Sequence, residues 1–561
     1  MEKYYRTIDI LFVMLISTLI FTVIPKTISF EPFGGVMGSK LSIYPLLLGI
    51  LITIKTVGEN KENDSNFDNF NKIVLKFAVC LFCVNFISLF WGIINYPYIN
   101  SILGDPKFIP KGILKIFNFL GYDYHAISQN TIKVWVGIKG VKNILANIIW
   151  QYGCAYFIYF WYKNRMQDCF NLLLKGILIG TFFIFLYELI ELPYLLGSDS
   201  AKNILVIINP YIHRIGRLTN FYNATSSQDY NWYSWWPRLL WPNQVRSVFA
   251  EPSFLGLHCA FSIPWTWYRI WKIKDEKKNL KKNDTWIWWS TCLFLTFLVF
   301  LTRSRTALLL YLFQMGLLFL YCLVKKTKCD FRKLAFLMTF SILMFFSSLI
   351  FINLSHNKIL SQSATRGVHN QTDTQLMKSS AIDNYVSENV SSAFSKKQRS
   401  NLARLSLMAA ELKVWLEHPA LGVGMGMRAA YIPEKFSREA FESNEVRMWV
   451  NRLKDNGPLI ASFPNVSEYT SKLCELGLLG VVAYYSPVVY LLISFAKVIK
   501  DSICSKNNNY LIDFKYNFLI FYLIQLLGFL VSGITTSLDV SFCFWVLIGI
   551  GLIIKHNILI D

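Results

Sequence analysis

Apolar runs of about twenty residues recur from one end of this chain to the other, and each can cross a ~30 Å hydrocarbon core as a helix. Hydrophobic residues make up 54% of the 561 and charged residues only 16%, well under the ~25% charged of soluble domains. The expectation is an all-α polytopic membrane protein. The first run, Ile8 to Ile24, has no small-residue cleavage site after it, so a cleavable signal peptide is not expected.

Twelve spans are expected near 8–28, 41–56, 73–95, 141–162, 170–192, 253–271, 286–302, 306–324, 334–354, 471–496, 518–535 and 537–554. Cations orient them, because Lys and Arg collect on the cytoplasmic side. With the N-terminus inside, the inner loops hold Lys163 and Arg165, six lysines from Lys272 to Lys282, the group Lys325 to Lys333, and Lys497 to Lys515. Both termini then lie in the cytoplasm. The long loops 96–140, 193–252 and 355–470 then lie on the outer side of the membrane.

The net charge of +21 comes largely from those inner loops. It reads as topology plus attraction to anionic membrane lipid. No basic stripe with interleaved aromatics lies on a soluble segment, so nucleic acid is not an expected partner. The cysteines form neither a disulfide framework nor a metal-ligand pattern, and Cys80 and Cys83 are expected to be packing residues.

The chain divides into a nine-span block at 1–354, an outer loop at 355–470 and a three-span block at 471–561. Within the large loop, Leu402, Leu405, Ala409, Leu412 and Leu416 recur at helical spacing. They predict a short amphipathic helix with that stripe against the bundle or lipid. His418-Pro419 ends it, and Gly422-Val423-Gly424-Met425-Gly426 follows. That run lacks the lysine and Ser/Thr of a phosphate loop. A tight loop crossing close to substrate or another backbone fits it better.

Arg246 and Glu251 stand at the mouth of a span, in Arg246-Ser247-Val248-Phe249-Ala250-Glu251-Pro252-Ser253. Charges at such a boundary are costly unless paired or used. The plain reading is a capping ion pair with Pro252 in the first helical turn. The functional reading is a phosphate-binding guanidinium beside a carboxylate able to act as general base. A second pair, Arg303 and Arg305, sits in an outer hairpin against the positive-inside tendency. It reads as another phosphate clamp or as cations reaching lipid head groups.

Arg404, Glu411 and His418 are spaced seven apart on the loop helix. Taken alone they form a solvated polar face, although His418 has the intrinsic pKa of a base. Trp235, Trp236 and Trp241 crowd the approach to Arg246. They read as an interfacial aromatic belt, as platforms for sugar rings, or as both.

These residues resemble a known family. Arg246-x-x-Phe249-x-Glu251-Pro252-Ser253 is similar to the motif of bacterial O-antigen and exopolysaccharide repeat-unit polymerases. Thr302-Arg303-Ser304-Arg305-Thr306 resembles a turn of the wider O-antigen ligase/polymerase superfamily. Arg404 through Trp415, His418-Pro419, Gly422-x-Gly424 and Glu475-Leu476-Gly477-Leu478-Leu479-Gly480 resemble its large loop and the span that follows. The resemblance covers about residues 240–500.

It implies a GT-C-like helical fold and a metal-independent glycosyltransferase that needs no cofactor. Oligosaccharides carried on undecaprenyl diphosphate would be joined at the outer face of the membrane, in O-antigen, lipopolysaccharide or exopolysaccharide biosynthesis. Arg246, Arg305, Arg404 and Arg303 would hold diphosphate; Glu251, with His418 second, would serve as base; Trp235, Trp236 and Trp241 would meet sugar. A chain-length regulator could bind the inner loops.

Ligases of the superfamily place a catalytic histidine before Asn, Ser or Gln, ahead of the Gly-x-x-Gly that opens at Gly477 here; Ser467 fills the second position, and Val466 stands where the histidine would be. A ligase delivering glycan to a lipid or protein acceptor is the first rival. A flippase for lipid-linked oligosaccharide is the second, and it predicts charges deep within spans and pseudo-repeated halves.

Overall fold

A computed structural model describes residues 2–30, 35–60, 69–212, 244–273, 282–325, 328–365, 399–504 and 510–559. Helices dominate them, and no strand occurs among the described residues. In chain order the α-helices are α1 (Glu2–Ser17), α2 (Ile43–Asn60), α3 (Asn69–Ile94), α4 (Ile99–Leu103), α5 (Lys111–Phe119) and α6 (Gln129–Tyr162). Next come α7 (Met166–Leu195), α8 (Asp199–Ile212), α9 (Pro252–Ile273), α10 (Lys282–Leu301), α11 (Arg305–Lys325) and α12 (Lys328–Thr365). The last are α13 (Arg399–Glu417), α14 (Arg428–Lys435), α15 (Asn444–Asn456), α16 (Glu468–Cys504), α17 (Tyr510–Ser532) and α18 (Cys543–Leu559).

The chain is an all-α polytopic membrane protein. Five helical segments are long and apolar enough to span: Lys72–Ile94, Met166–Leu195, Arg305–Lys325, Lys328–Ser355 and Glu468–Lys500. Thr285–Leu301, Tyr516–Ser532 and Cys543–Ile558 are shorter apolar helices. Leu309, Leu312, Phe319, Leu320 and Leu323 on α11 remain exposed, as a lipid-facing surface should. Cys80 and Cys83 are exposed on α3; they are surface residues of that helix, not the packing residues expected.

The bundle closes by long-range pairing. The C-terminal α18 packs on α6, α16 on α3, and α17 on α9 and α11. The three C-terminal helices are thus part of the same bundle as the first nine expected spans. Trp265, Trp267 and Trp545 are buried in its interior. The stretch 96–140 is largely helical, and α6 begins a dozen residues before the expected span.

The loop helix α13 forms, but rotated from the expected stripe. It buries Ala403, Leu407, Ala410 and Val414, while Leu405 and Leu416 are exposed. Small alanines let α13 approach α14 and α16 closely, and the larger leucines are left outside. That choice belongs to the partners' surfaces, which a single helical period does not report.

Candidate active site

The site is built where four separate segments meet at one end of the bundle. The Arg246 loop is held to the α10–α11 turn by the Val245 N–H, which donates to the Leu301 carbonyl at 3.2 Å. Ser304 caps α11: its Oγ accepts from the Ala307 N–H at 3.4 Å. Gly256 lets α9 press against α11 here, because an added Cβ would lie 2.2 Å from the Ala307 Cβ. The Arg246 loop and the Arg303–Arg305 turn are therefore one structural unit.

Arg246 is fully buried. Its Nη1 donates to the Ala250 carbonyl at 3.2 Å. Burial pulls its pKa down, to about 9, against the opposing fields of Tyr187, Glu191 and Glu251. The loop bends sharply at Ser247, whose φ is +54°. One carboxylate answers that bend: Glu191 of α7 accepts from the Arg246 N–H at 3.3 Å and the Ser247 N–H at 2.6 Å. Glu188 is buried one turn away. The acid that holds the Arg246 loop is therefore Glu191. Glu251 itself is exposed, with Ser253 Oγ donating to it at 3.3 Å.

Arg305 and Arg404, 99 residues apart in sequence, are joined by the turn between α17 and α18. Arg404 Nη1 donates to the Thr535 carbonyl at 3.2 Å. The Thr535 hydroxyl lies 3.0 Å from that of Thr306, the neighbour of Arg305. Arg305 also donates to the Asn401 side chain on α13. Arg303, with φ +49°, completes the turn. A cluster of guanidinium groups here can bind anionic oxygens bidentately without deprotonating.

His418 is not part of this group. It lies at the opposite end of α13 from Arg404, about 21 Å along the axis at 1.5 Å per residue, with its ring against Tyr431. Glu411 lies between them, fully buried, so the three residues do not form the solvated face that their spacing alone suggests. Trp235, Trp236 and Trp241 lie outside the described residues.

Glu411 instead anchors an ion pair. Arg428 donates to Glu411, and its Nε is 3.3 Å from Glu475. The same guanidinium donates to Ser471 Oγ at 3.1 Å and to the Phe463 and Pro464 carbonyls at 3.1 and 3.3 Å. Burial pushes the Glu411 pKa up; Arg428 and the Thr470 hydroxyl oppose this without reversing it. This clamp fixes the segment leading into α16. There Glu468 accepts from Ser537 Oγ at 2.8 Å and the Leu538 N–H at 3.2 Å, and Lys472 sits 3.5 Å away. Val466 packs beside Ala403 and Leu407 in the core under α13.

The glycine run crosses another backbone, as its composition suggests. α16 is broken at Gly477, with φ +64°. Leu478 and Leu479 N–H groups donate to the Pro419 and Ala420 carbonyls at 2.8 and 3.2 Å. Val423 and Gly424 N–H groups donate to the Cys474 and Glu475 carbonyls, both at 3.0 Å. The loop thereby satisfies groups that the broken helix exposes, which apolar surroundings require. Gly422 and Gly477 permit the contact: a Cβ on either would lie 2.5 or 2.4 Å from facing backbone carbon.

The missed residues are Glu191, Glu468, Arg428 and the 533–541 turn. Glu188, Glu191 and Asp539 are charges in apolar stretches, and nothing in the sequence pairs them with their partners.

Residues 290–460 match the family model described as O-antigen ligase. The match supports the O-antigen ligase/polymerase superfamily and, at that level, an enzyme transferring glycan in polysaccharide biosynthesis. Among curated proteins none matches the chain.

Proposed function

We propose that this membrane protein of the O-antigen ligase/polymerase superfamily joins undecaprenyl-diphosphate-linked repeat units into polymer at the outer face of the cytoplasmic membrane. The observation that carries the reading is the convergence of Arg305 and Arg404 on Thr535, beside the turn that holds the Arg246 loop. These arginines bind the diphosphate of the donor. A hydroxyl of the acceptor glycan attacks the donor's anomeric carbon, the bond from that carbon to the diphosphate oxygen breaks, and the lipid diphosphate departs. Preorganised guanidinium groups stabilise its growing charge.

Glu251 takes the hydroxyl proton or orients the acceptor. It is preferred to His418 because it is five residues from buried Arg246 and exposed to incoming substrate. Arg303 assists at the diphosphate or meets lipid head groups, and Trp235, Trp236 and Trp241 contact sugar. The basic inner loops offer a surface for a chain-length regulator. A ligase reading draws support from the description of the matched model; the apolar burial of Val466 counts against it, since that side chain cannot move a proton.

The test is synthesis by purified protein in nanodiscs, given undecaprenyl-diphosphate-linked repeat units and EDTA. A size ladder that disappears in Arg305→Ala and Arg404→Ala is the expected result. Transfer of one finished glycan to a separate acceptor, with no ladder, would select the ligase. Movement of the labelled lipid-linked unit across the bilayer, with no new glycosidic bond, would select the flippase.

A further inference from the structure

A narrow cleft lies beside the arginines, between the start of α9 and the turn joining α17 to α18. Phe249, Phe254 and His258 line one wall, and Ser532, Ser537 and Ser541 line the other. Its free space is about that of a single water molecule. His258 is 4% exposed, and its ring stands 5.5 Å from that of Phe249. His258 Nε2 is 3.4 Å from Ser262 Oγ. Nδ1 is buried with no hydrogen-bond partner, a condition that costs roughly 1–3 kcal/mol in a native interior.

The hydrogen bonds already made in the cleft define what can enter. Ser532 Oγ donates to the Phe529 carbonyl at 2.7 Å, and Ser537 Oγ donates to Glu468 at 2.8 Å. Ser541 Oγ donates to Cys543 Sγ at 2.9 Å. With their protons committed, the three hydroxyls can only accept, and Ser537 and Ser541 already accept once each, from the Asp539 and Cys543 N–H groups at 3.3 Å. A phosphate or carboxylate oxygen, which only accepts, meets no donor from the serines and leaves Nδ1 unpaired; the buried Thr22 hydroxyl, which also lines the cleft without a partner, can donate to a sugar oxygen or accept from a sugar hydroxyl. A neutral hydroxyl can give its proton to a serine or to Nδ1. Flanking phenylalanine rings suit the C–H groups around such a hydroxyl on a sugar.

We propose that the His258 cleft is a glycan subsite, which takes one hydroxyl of a sugar through Nδ1. The proposal rests on the polymerase reading and extends it, since the turn that walls the cleft also carries Thr535, whose carbonyl accepts from Arg404. Ser537 faces the cleft and also holds Glu468, and Phe249 lies within the Arg246 loop. A hydroxyl seated in the cleft would therefore fix a sugar ring beside the reacting carbon. His258 acts here as a binding residue, with no proton transfer assigned to it.

The probe is the free repeat-unit oligosaccharide, without lipid, released from the polysaccharide of the source bacterium. Its equilibrium binding to the full chain in nanodiscs is measured beside that of undecaprenyl diphosphate. Variants are matched to the parent protein by melting temperature. His258→Leu should weaken oligosaccharide binding about tenfold and leave undecaprenyl diphosphate binding unchanged. His258→Asn, which places an amide near the Nδ1 position, should restore binding to within about threefold. His258→Gln, whose amide falls near Nε2, should behave like His258→Leu.

Oligosaccharide binding equal to the parent's in His258→Leu, or rescue by Gln and not by Asn, overturns the subsite. A parent protein that makes polymer but does not bind the oligosaccharide also overturns it, and the cleft is then a water site. A parent protein that binds neither probe and makes no polymer removes the polymerase reading as well.

Discussion

Glu191, near the end of α7, accepts the backbone N–H of Ser247 at 2.6 Å across 56 residues of sequence. Ser247 occupies a left-handed conformation, φ +54°, that a residue with a Cβ adopts at a cost of about 1–2 kcal/mol. The carboxylate therefore holds the Arg246 loop in a shape the loop would not keep alone. Glu191→Ala should lower stability by roughly 1–3 kcal/mol and reduce polymer synthesis. Glu191→Gln, which keeps one carbonyl acceptor, should do less on both counts. Equal behaviour of Ala and parent protein in melting and in synthesis would remove Glu191 from this role.

Arg305→Ala and Arg404→Ala should each slow polymer synthesis by about 10²–10³, the usual loss for one preorganised donor to a developing charge. Lysine at either position should recover only part of the rate, because it lacks the planar fork. Initial rates on a lipid-linked donor give both numbers. A change in KM with kcat intact would mean that the arginines bind donor and transition state equally.

Gly477→Ala tests the inserted loop. The residue has φ +64°, and its new Cβ would lie 2.4 Å from the Ala420 backbone. Strain and collision add, so the melting temperature and the yield of folded protein should both fall. Gly316 on α11 has nothing within 4 Å of an added Cβ. Gly316→Ala should be neutral or stabilising by roughly 0.5–1 kcal/mol. Similar losses in both variants would show that membrane helices here resist any glycine replacement.

Arg428→Met leaves Glu411 buried without its cation, and a broken buried pair typically costs 3–5 kcal/mol. The pH dependence has a fixed sign. The folded-state pKa of Glu411 is raised above its ordinary 4.5. Its contribution to stability is therefore full below 4.5 and lost as pH rises through the folded value. Arg428 opposes that rise, so its removal lifts the pKa further. Melting of Arg428→Met should decline more steeply than that of the parent as pH rises above 4.5. Equal declines would mean that Arg428 does not change the protonation of folded Glu411.

Glu251→Gln removes a base and keeps the shape of the side chain. Polymer synthesis should fall about 10²–10⁴ if Glu251 takes the proton, with melting unchanged because the group is exposed. Undiminished synthesis with normal expression would take Glu251 out of the chemistry.

Much of the plan is legible in single residues. Runs of about twenty apolar residues specify membrane helices, because lipid leaves a backbone no other local way to satisfy its polar groups. Arg246, Arg305 and Arg404 are conspicuous because a cation beside lipid is costly without a purpose. The glycine run announces close backbone approach by lacking Cβ atoms. The exposed stripe of α13 shows the limit: period identifies a helix, and the shapes of its neighbours decide which face they bury.

The sequence by itself determined the helices, the crowding of cations at their ends, and the need for something to approach Gly422 and Gly477. Only the tertiary structure decided that Thr535 links Arg305 to Arg404, that Glu191 holds Ser247, and that residues 418–424 fill the break in α16. The reason is range. Helix formation and hydropathy are summed over neighbours within a turn or a bilayer's thickness. A buried charge or an opened backbone instead takes whichever partner the packed bundle brings within about 3 Å, however far away it lies in the chain.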